Sequence, residues 1–547
     1  MNASNSSINA SSERGRTASS GRGRTIVVGL DGASFTLLEP WIEAGELPTI
    51  ERIVGEGVSG ELESVLPPIT SPNWKAYATG KNPGKLGIFW WRNVDVENGR
   101  TYVPSDRYHA NTEYWEIISE NEPVGVIGVP MTNPPKALDA FVVPAGVGEQ
   151  PSEVTTHPQS LRRVLEDRFD YRFQLEYSLR EGTREAYEGV HEYIDTKFTA
   201  AKYLLDRYDV SFLQLTTFQI NQLHHHIWDH EATLAGWKII DGHLESFLED
   251  GNNVVLMSDH GMARIESIFR INHWLKEEGY LAYDTGTSET LYDLGINTGR
   301  LKQLLKRADR HVPAADLMGT ADRVVPQWLL NYLPNDRGSL GVSKFSQVDW
   351  ENSRAIASAQ GPVYLTLDRD EPGYDRLREE LVEKLSELTD PSGRPIADAV
   401  HRSEDIYTGP YVEEAPDIVI EQAEGMYIVE GIGQRDVFGE VDETWQAVNA
   451  PTGFFAATGP AFASGSIEDL SILDLAPTLL HLHDCEIPTD MDGTVRTDVF
   501  ERGTAAADRE PTYGPPRHGQ VTGGVEGAAT DAESDDMRQR LKDLGYI

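Results

Sequence analysis

Four side chains in this sequence have the types and positions of a reactive centre: Asp31, Thr70, Asp259 and His260. Val254-Val255-Leu256-Met257 is a short apolar run, opened by Asn252-Asn253 and closed by Ser258-Asp259-His260-Gly261. Thr25-Ile26-Val27-Val28-Gly29-Leu30 is a second run, and Asp31-Gly32 follows it. Runs of this length between turn residues read as strands of a parallel sheet covered on both faces. In open α/β sheets, ligand sites lie just beyond the carboxyl ends of the strands. Two carboxylates and an imidazole there offer oxygen and nitrogen donors suited to zinc or manganese. A single Asp-Gly is ordinarily a turn. Two strands that both end in Asp supply the convergent carboxylates that a metal site needs.

Thr70 adds a hydroxyl. In Ser64-Val65-Leu66-Pro67-Pro68-Ile69-Thr70-Ser71-Pro72-Asn73-Trp74, prolines end an extended segment, and Pro72 stands where a first helical residue would. That places Thr70 or Ser71 near the N-cap, with the helix running to Thr79 and stopped by Gly80. Plain capping accounts for such a hydroxyl in isolation. Beside a metal site it has a second use, because free amides at a helix start favour an anion. A metal on the acids and imidazole would lower the hydroxyl pKa and shield the charge of an approaching phosphate. Thr70 would then attack phosphorus, and water would hydrolyse the phosphothreonyl enzyme.

The elements that must position these groups alternate. Helical patterns cover about 36–56 (broken near Gly45 and Pro48), 111–121, 157–168, 183–207 and 231–250. Between them, Val124–Val129 and Ser211–Thr216 read as buried strands. Strands alternating with helices at this spacing predict an α/β fold with a doubly wound, mainly parallel sheet and helices on both faces. Residues 282–350 break the alternation and read as an inserted helical cap, with helices at 298–309 and 322–333. The alternation resumes with Val363–Leu367, a helix at 374–388, Pro416–Ile420, Gly453–Ala457 and a helix at 468–482. Residues 1–24 are low-complexity and read as a disordered tail, and 503–547 as a polar tail. The catalytic domain is thus expected over 25–281 and 351–502.

Asp plus Glu number 88 against 48 Lys plus Arg, a net charge of −40 spread along the chain. Such a surface repels nucleic acid and anionic membranes. Its even spread reads as adaptation to a salt-rich cytoplasm, where screening relieves self-repulsion. Cys485 is the single cysteine, so no intrachain disulfide forms. No segment reaches the roughly 18 apolar residues of a membrane span. No apolar stretch typical of a signal peptide precedes the first strand, so a cytoplasmic location is expected.

The order of these pieces resembles the type I phosphodiesterase/nucleotide pyrophosphatase family of the alkaline phosphatase superfamily, in its archaeal form. The resemblance rests on Val27–Gly32, on Pro67–Pro72 running to Ala78–Gly84, on Val129–Pro135, and on Ser258–Gly261 with Ile271–Leu275 behind it. It continues through Ile406–Tyr411, Ala415–Asp417, Leu473–Thr478 and Met491–Gly493. It implies an alkaline-phosphatase-like fold, a Thr nucleophile and two divalent metals, usually zinc. Carried over by position, Asp31, Thr70, Asp259 and His260 complete one metal site. The other departs from the family pattern. Its Asp and His, four residues apart, align with Asn221 and His225, and its third ligand, a His, aligns with Asn449. The spacing puts Asn221 and His225 on one helical face. This site has lost a charge and an imidazole, so its metal is expected to bind weakly or not at all. His224 and His226 are candidates to compensate, though three adjacent histidines more often bond locally. Leu86 replaces a further His common in this branch.

The resemblance therefore implies a phosphodiesterase or phosphatase working with one secure metal on a small-molecule phosphate ester. The alternative is an impaired member that binds a phosphorylated ligand or partner, motivated by Asn221 and Asn449. A sulfatase needs a Cys or Ser in C/S-x-P-x-R, which Thr70-Ser71-Pro72-Asn73-Trp74 lacks. A cofactor-independent phosphoglycerate mutase needs both metals. The run Phe89-Trp90-Trp91 has the chemistry to stack on a base, but a packed cluster is the plainer expectation. Substrate identity and oligomeric state are not legible.

Overall fold

The computed structural model describes residues 23–519 apart from 147–149, 176–178, 180–181, 229, 249–250, 284–343, 433–435 and 442–443. In chain order its framework is β1 (Thr25–Leu30), α1 (Phe35–Glu43), β2 (Val58–Glu63), α2 (Thr70–Thr79), β3 (Val124–Ile127) and β4 (Phe141–Val143). Then come α3 (Arg184–Arg207), β5 (Phe212–Thr217), α4 (Gln219–Ile227), α5 (Glu231–Leu248), β6 (Asn253–Met257) and β7 (Gly261–Arg264). The framework ends with β8 (Ala447–Ala450), β9 (Thr452–Thr458) and α6 (Ile472–Leu482).

β1 lies at the centre of the main sheet, between β5 and β6 and parallel to both. β3 and β4 extend the parallel set beyond β5, and on the other side β9 pairs antiparallel with β6 and with β2. All six residues of β1 are buried, as the unbroken apolar run required. The strand pleat divides them between two cores. Ile26, Val28 and Leu30 face a core shared with α1, α3 and α5, and Val27 faces one shared with α2 and α6. Each such aliphatic side chain contributes about 1.5–3 kcal/mol on burial. The expected doubly wound, mainly parallel sheet with helices on both faces is what the chain forms.

Two expectations need correction. Of the strands expected after residue 350, only β9 enters the main sheet. Pro362–Leu365 and Ile418–Gln422 pair antiparallel with Ala355–Ala357 and Ala397–Arg402 in a separate sheet with its own core. Apolar runs identify strands, but they do not name the partner strand. The helix of Thr70 also starts earlier than expected. Its N-cap is Ile69, and Pro72 is the third helical residue, still within the first turn where proline's missing N–H has no helical partner to lose. It ends as expected, at Gly80 in the left-handed region with φ 64°.

The expected cap falls almost wholly on 284–343, outside the described residues, as do 1–22 of the N-terminal tail and 520–547 of the C-terminal one. Residues 503–519 pack back on the body: Tyr513–Gly514 pairs with Ile487–Pro488, and His518 bridges to Asn111. No helix among the described residues is long and apolar enough to cross a membrane.

Candidate active site

Strand register brings the acids together. Gly29 of β1 lies opposite Met257 of β6, so Asp31 and Asp259 leave the sheet side by side, two residues further on. α2 brings Thr70 over the same edge. A Cβ on Gly29 would lie 2.4 Å from the Trp74 ring, so the helix can sit this close only over glycine. The indole then reaches Asp31: Trp74 Nε1 donates to Asp31 Oδ2 at 3.0 Å.

Every residue of α2 is buried. Asn73 ties its start to the preceding loop. Its Nδ2 donates to the carbonyls of Val65, Pro67 and Ile69 at 3.0–3.2 Å, and its Oδ1 accepts from Val65 N at 2.8 Å. No side chain caps the helix. The N–H groups of Thr70 and Ser71 have no partner among the described residues, so they stay available to an anion.

At the centre, four electron-rich atoms meet with no donor between the acids and the imidazole. His260 Nδ1 lies 2.9 Å from Gly261 O. A carbonyl only accepts, so Nδ1 carries the proton and Nε2 presents a lone pair. That Nε2 lies 3.2 Å from Thr70 Oγ1, 3.3 Å from Asp259 Oδ2 and 3.7 Å from Asp31 Oδ1. Asp31 Oδ1 and Asp259 Oδ2 have no hydrogen-bond partner, although both residues are fully buried. Burial raises both carboxyl pKa values above the usual range, with the neighbouring Asp31 charge adding to the effect at Asp259. Burial lowers that of His260 to about 4, which keeps the imidazole neutral. Two orphaned acid oxygens facing a nitrogen lone pair call for a cation or a shared proton between them. Ligand atoms of Asp31, Asp259 and His260 lie within 4.8 Å of one another, and this donor set fits a divalent cation.

The second set gathers beside the first. A Cβ on Gly32, which has φ 70°, would lie 2.7 Å from Asn221 Oδ1 and 2.9 Å from Met262 Cγ. Asn449 sits opposite Met262 in the β7–β8 pair. Its Nδ2 donates to Pro68 O at 2.8 Å, which ties it to the loop before Thr70. Neither Asn221 Oδ1 nor Asn449 Oδ1 has a partner. His225 donates from Nδ1 to Ala447 O at 2.8 Å and stacks on Trp445. His224 Nε2 accepts from Trp237 Nε1 at 3.0 Å, and His226 Nδ1 donates to Thr444 O at 2.6 Å. Leu86 packs with Ala76 and Ile88 in an apolar cluster. Phe89 packs on Tyr407, whereas Trp90 and Trp91 join Ile69 and Phe218, which flank Thr70 and α4.

Three supporting residues escaped the sequence reading: Trp74, Asn73 and Ser64, whose Oγ donates to Asp259 O at 2.9 Å. Trp74 was legible in principle, being four residues beyond Thr70 and so on the same helical face. The roles of Asn73 and Ser64 depend on loop geometry and left no signal.

Comparison with known proteins identifies a family and a fold. The model of the type I phosphodiesterase / nucleotide pyrophosphatase family matches residues 25–448. The fold is similar to that of phosphonoacetate hydrolase from Sinorhizobium meliloti 1021, solved with phosphonoacetate. The TM-score is 0.54 at 16% identity, covering 83% of this chain and 94% of that one. The same hydrolase with phosphonoformate gives 0.53 at 15% identity, with the same coverage of both chains. Human ectonucleotide pyrophosphatase / phosphodiesterase 5 aligns over 87% of this chain and 100% of its own at 15% identity, with a TM-score of 0.45. No curated protein matches the chain in sequence. With most of its length matched by the family model, the chain belongs to the type I phosphodiesterase/nucleotide pyrophosphatase family of phosphoric ester hydrolases.

Proposed function

We propose that this chain hydrolyses a small phosphate ester through a covalent intermediate on Thr70, at a centre with one tightly bound divalent cation. The observation that carries the reading is the 3.2 Å approach of Thr70 Oγ1 to His260 Nε2, inside the buried cluster completed by Asp31 and Asp259. Those residues would hold the cation, zinc by the habit of the family and manganese by the same donor chemistry. Bound there, it would lower the hydroxyl pKa and offset phosphoryl charge.

The rest falls to the chain itself. Asn73 and Trp74 fix the start of α2, and the free amides of Thr70 and Ser71 receive phosphoryl oxygens. Thr70 Oγ forms a bond to phosphorus as its proton passes to solvent. The ester P–O bond breaks, and the leaving oxygen takes a proton from water. A water molecule then attacks phosphorus, the P–Oγ bond breaks, and the threonine hydroxyl is restored. Asn221, His225 and Asn449 form a second, weaker position for a cation, since two neutral amides replace an acid and an imidazole. The acidic surface disfavours nucleic acid and membranes as partners.

The test is elemental analysis of the chain kept in high salt, together with hydrolysis of an aryl phosphodiester by wild type and Thr70→Ala. The expected result is about one metal per chain, wild-type turnover, and a loss of about a thousandfold or more in the variant with its fold intact. Wild-type turnover by Thr70→Ala would overturn the nucleophile assignment. No metal and no activity after reconstitution with zinc and manganese would favour the second reading, a binder of phosphorylated ligands, for which Asn221 and Asn449 are the motive.

A further inference from the structure

No step of the proposed reaction uses Lys197, whose side chain reaches from α3 to the carboxyl end of β5. The residue is 1% exposed. Its Nζ donates to Thr216 O at 3.2 Å and to Gln219 Oε1 at 2.9 Å. The centroids of the Tyr193 and Phe218 rings lie 5.0 and 5.3 Å from it. Gly128, just beyond β3, leaves the room: a Cβ there would lie 3.0 Å from Nζ and 2.4 Å from Thr216 O. Among the described residues no carboxylate pairs with this ammonium, and burial alone lowers its pKa to about 7.

Such a group is costly as a core residue. A buried lysine without an acid loses hydration that two neutral acceptors replace only in part. The start of α4, which carries Gln219, adds the positive end of a helix to that cost. An apolar side chain would fill the space between Tyr193 and Phe218 without either cost. What it could not do is donate. An ammonium only donates, so Gln219 must turn Oε1 toward it. Thr217 Oγ1 donates to the same atom at 3.4 Å, and the amide's Nε2 is buried without a partner. The contacts on Oε1 therefore fix this side chain, and Lys197 makes the shorter of them.

What Lys197 holds adjoins the candidate centre. Thr216 lies opposite Gly29 of β1, and the next carbonyl of β5, Thr217 O, accepts from Asp31 N at 3.3 Å. Consecutive carbonyls at one strand end thus tie Lys197 and Asp31. Phe218 packs with Ile69, the residue before Thr70. Two residues beyond Gln219, the Asn221 amide lies against Gly32, the residue after Asp31, where a Cβ would come within 2.7 Å of Oδ1. We propose that Lys197 is a positioning residue for hydrolysis at Thr70: it pins Thr216 O and the Gln219 amide, and so holds the β5–α4 turn, with Phe218 and Asn221, against Ile69 and Gly32. Its kinetic consequence rests on the reading of Thr70 as the reacting hydroxyl; the pinning of the turn rests on the contacts alone.

The test combines kinetics on an aryl phosphodiester with hydrogen–deuterium exchange of the full chain in high salt. Wild type is compared with Lys197→Met, Gln219→Met and the double variant. Methionine keeps the unbranched stem of either side chain, and circular dichroism gives the folded fraction by which kcat is normalised. Each single variant is expected to lower kcat about tenfold or more, with KM changed less than about twofold. Exchange should quicken in residues 216–222 while β1 and β6 keep their protection. The double variant should be no slower than the slower single one, because both residues belong to one contact. A wild-type kcat per folded chain in either single variant would overturn the proposal. Losses that multiply in the double variant would also overturn it, since Lys197 would then act without Gln219. So would faster exchange spread evenly over the sheet, which marks a residue that only stabilises the fold. Should Lys197→Met fail to fold, Gln219→Met decides by the same kinetic and exchange criteria. A wild type without turnover would instead overturn hydrolysis at Thr70, and unchanged exchange in residues 216–222 would then still overturn the pinning.

Discussion

Asp31 and Asp259 cannot both be ionised in a dry site without a positive charge, and the unprotonated Nε2 of His260 supplies none. This single electrostatic fact separates the two halves of the candidate centre. The first half has the acids and lacks the charge. The second half, Asn221 and Asn449, has unpartnered amide oxygens that need no charge to remain stable. Restoring the family ligands should reverse that difference. The Asn221→Asp/Asn449→His double variant is expected to raise metal content from about one toward about two per chain, measured by elemental analysis after gel filtration. Unchanged stoichiometry would mean that these positions do not align with the family's second site. A different buried charge gives a prediction about pH. Lys197 donates to Thr216 O at 3.2 Å and Gln219 Oε1 at 2.9 Å, and burial lowers its pKa to about 7. In the unfolded chain a lysine titrates near about 10.4. Between those values the unfolded state holds more protons, so stability rises with pH across the window, by at most about 1.4 kcal/mol per pH unit. Lys197→Met should remove that slope in urea denaturation at about pH 7 and about pH 9. An equal slope in both proteins would show that Lys197 does not cause it.

At the scale of elements, the helix that carries Thr70 is held by a buried ion pair as well as by packing. Lys75 Nζ lies 2.6 Å from Glu113 Oε1, with the two side chains 3% and 5% exposed. Glu113 also accepts from Trp115 Nε1 at 3.0 Å, so α2 is tied to the short helix Tyr114–Ser119. Burial and Lys136 lower the pKa of Lys75, while Glu113 raises it; the pair survives because each charge answers the other. Lys75→Met should cost about 3–5 kcal/mol in denaturant unfolding, because Glu113 is left buried and unpaired. Lys75→Met/Glu113→Leu should recover most of that loss. A double variant no more stable than the single one would show that packing, not charge, is what Lys75 supplies. None of this was legible in the sequence, where Lys75 is one more polar residue in a helix with no clear apolar face. What the sequence revealed was governed by short-range rules. The runs at 25–30 and 253–257 could only be buried strands, the Gly80 stop could only end a helix, and both acids sat at strand ends. What it concealed was pairing. Ile418-Val419-Ile420 is an apolar run like the one in β6, yet its strand belongs to the second sheet, because its partner is fixed by chain topology that no local pattern encodes. The start of α2 was misplaced for a related reason: Asn73 bonds to three carbonyls of the preceding loop and draws the helix back to Thr70.

For the molecule as a whole, the governing quantity is a net charge of −40 around a centre that must admit an anion. Much of that charge lies on exposed helix faces, where i,i+4 pairs such as Arg163–Asp167 and Arg184–Glu188 neutralise only a little of it. Such pairs contribute a few tenths of a kcal/mol each, too little to offset long-range repulsion among 88 acids and 48 bases. The Debye length falls from about 10 Å at 0.1 M salt to about 3 Å at 1 M, so the repulsion is strong in dilute buffer and nearly gone in molar KCl. The buried contacts of the site are screened much less. Two effects should therefore separate. The denaturation midpoint should climb steeply with KCl up to about 1 M and then flatten, as the surface charges cease to interact. Within the range where the chain stays folded, kcat/KM for an anionic phosphodiester should rise with salt, because the surface repels the substrate during approach. Meanwhile kcat should move little, because the buried contacts around Thr70, Asp31, Asp259 and His260 are screened much less than the surface. A neutral or cationic ester of similar size should show no such rise. Matching salt profiles for anionic and cationic substrates would locate the effect in the folded state of the site rather than in steering, and a flat denaturation midpoint would remove the link between the acidity of this chain and a salt-rich surrounding.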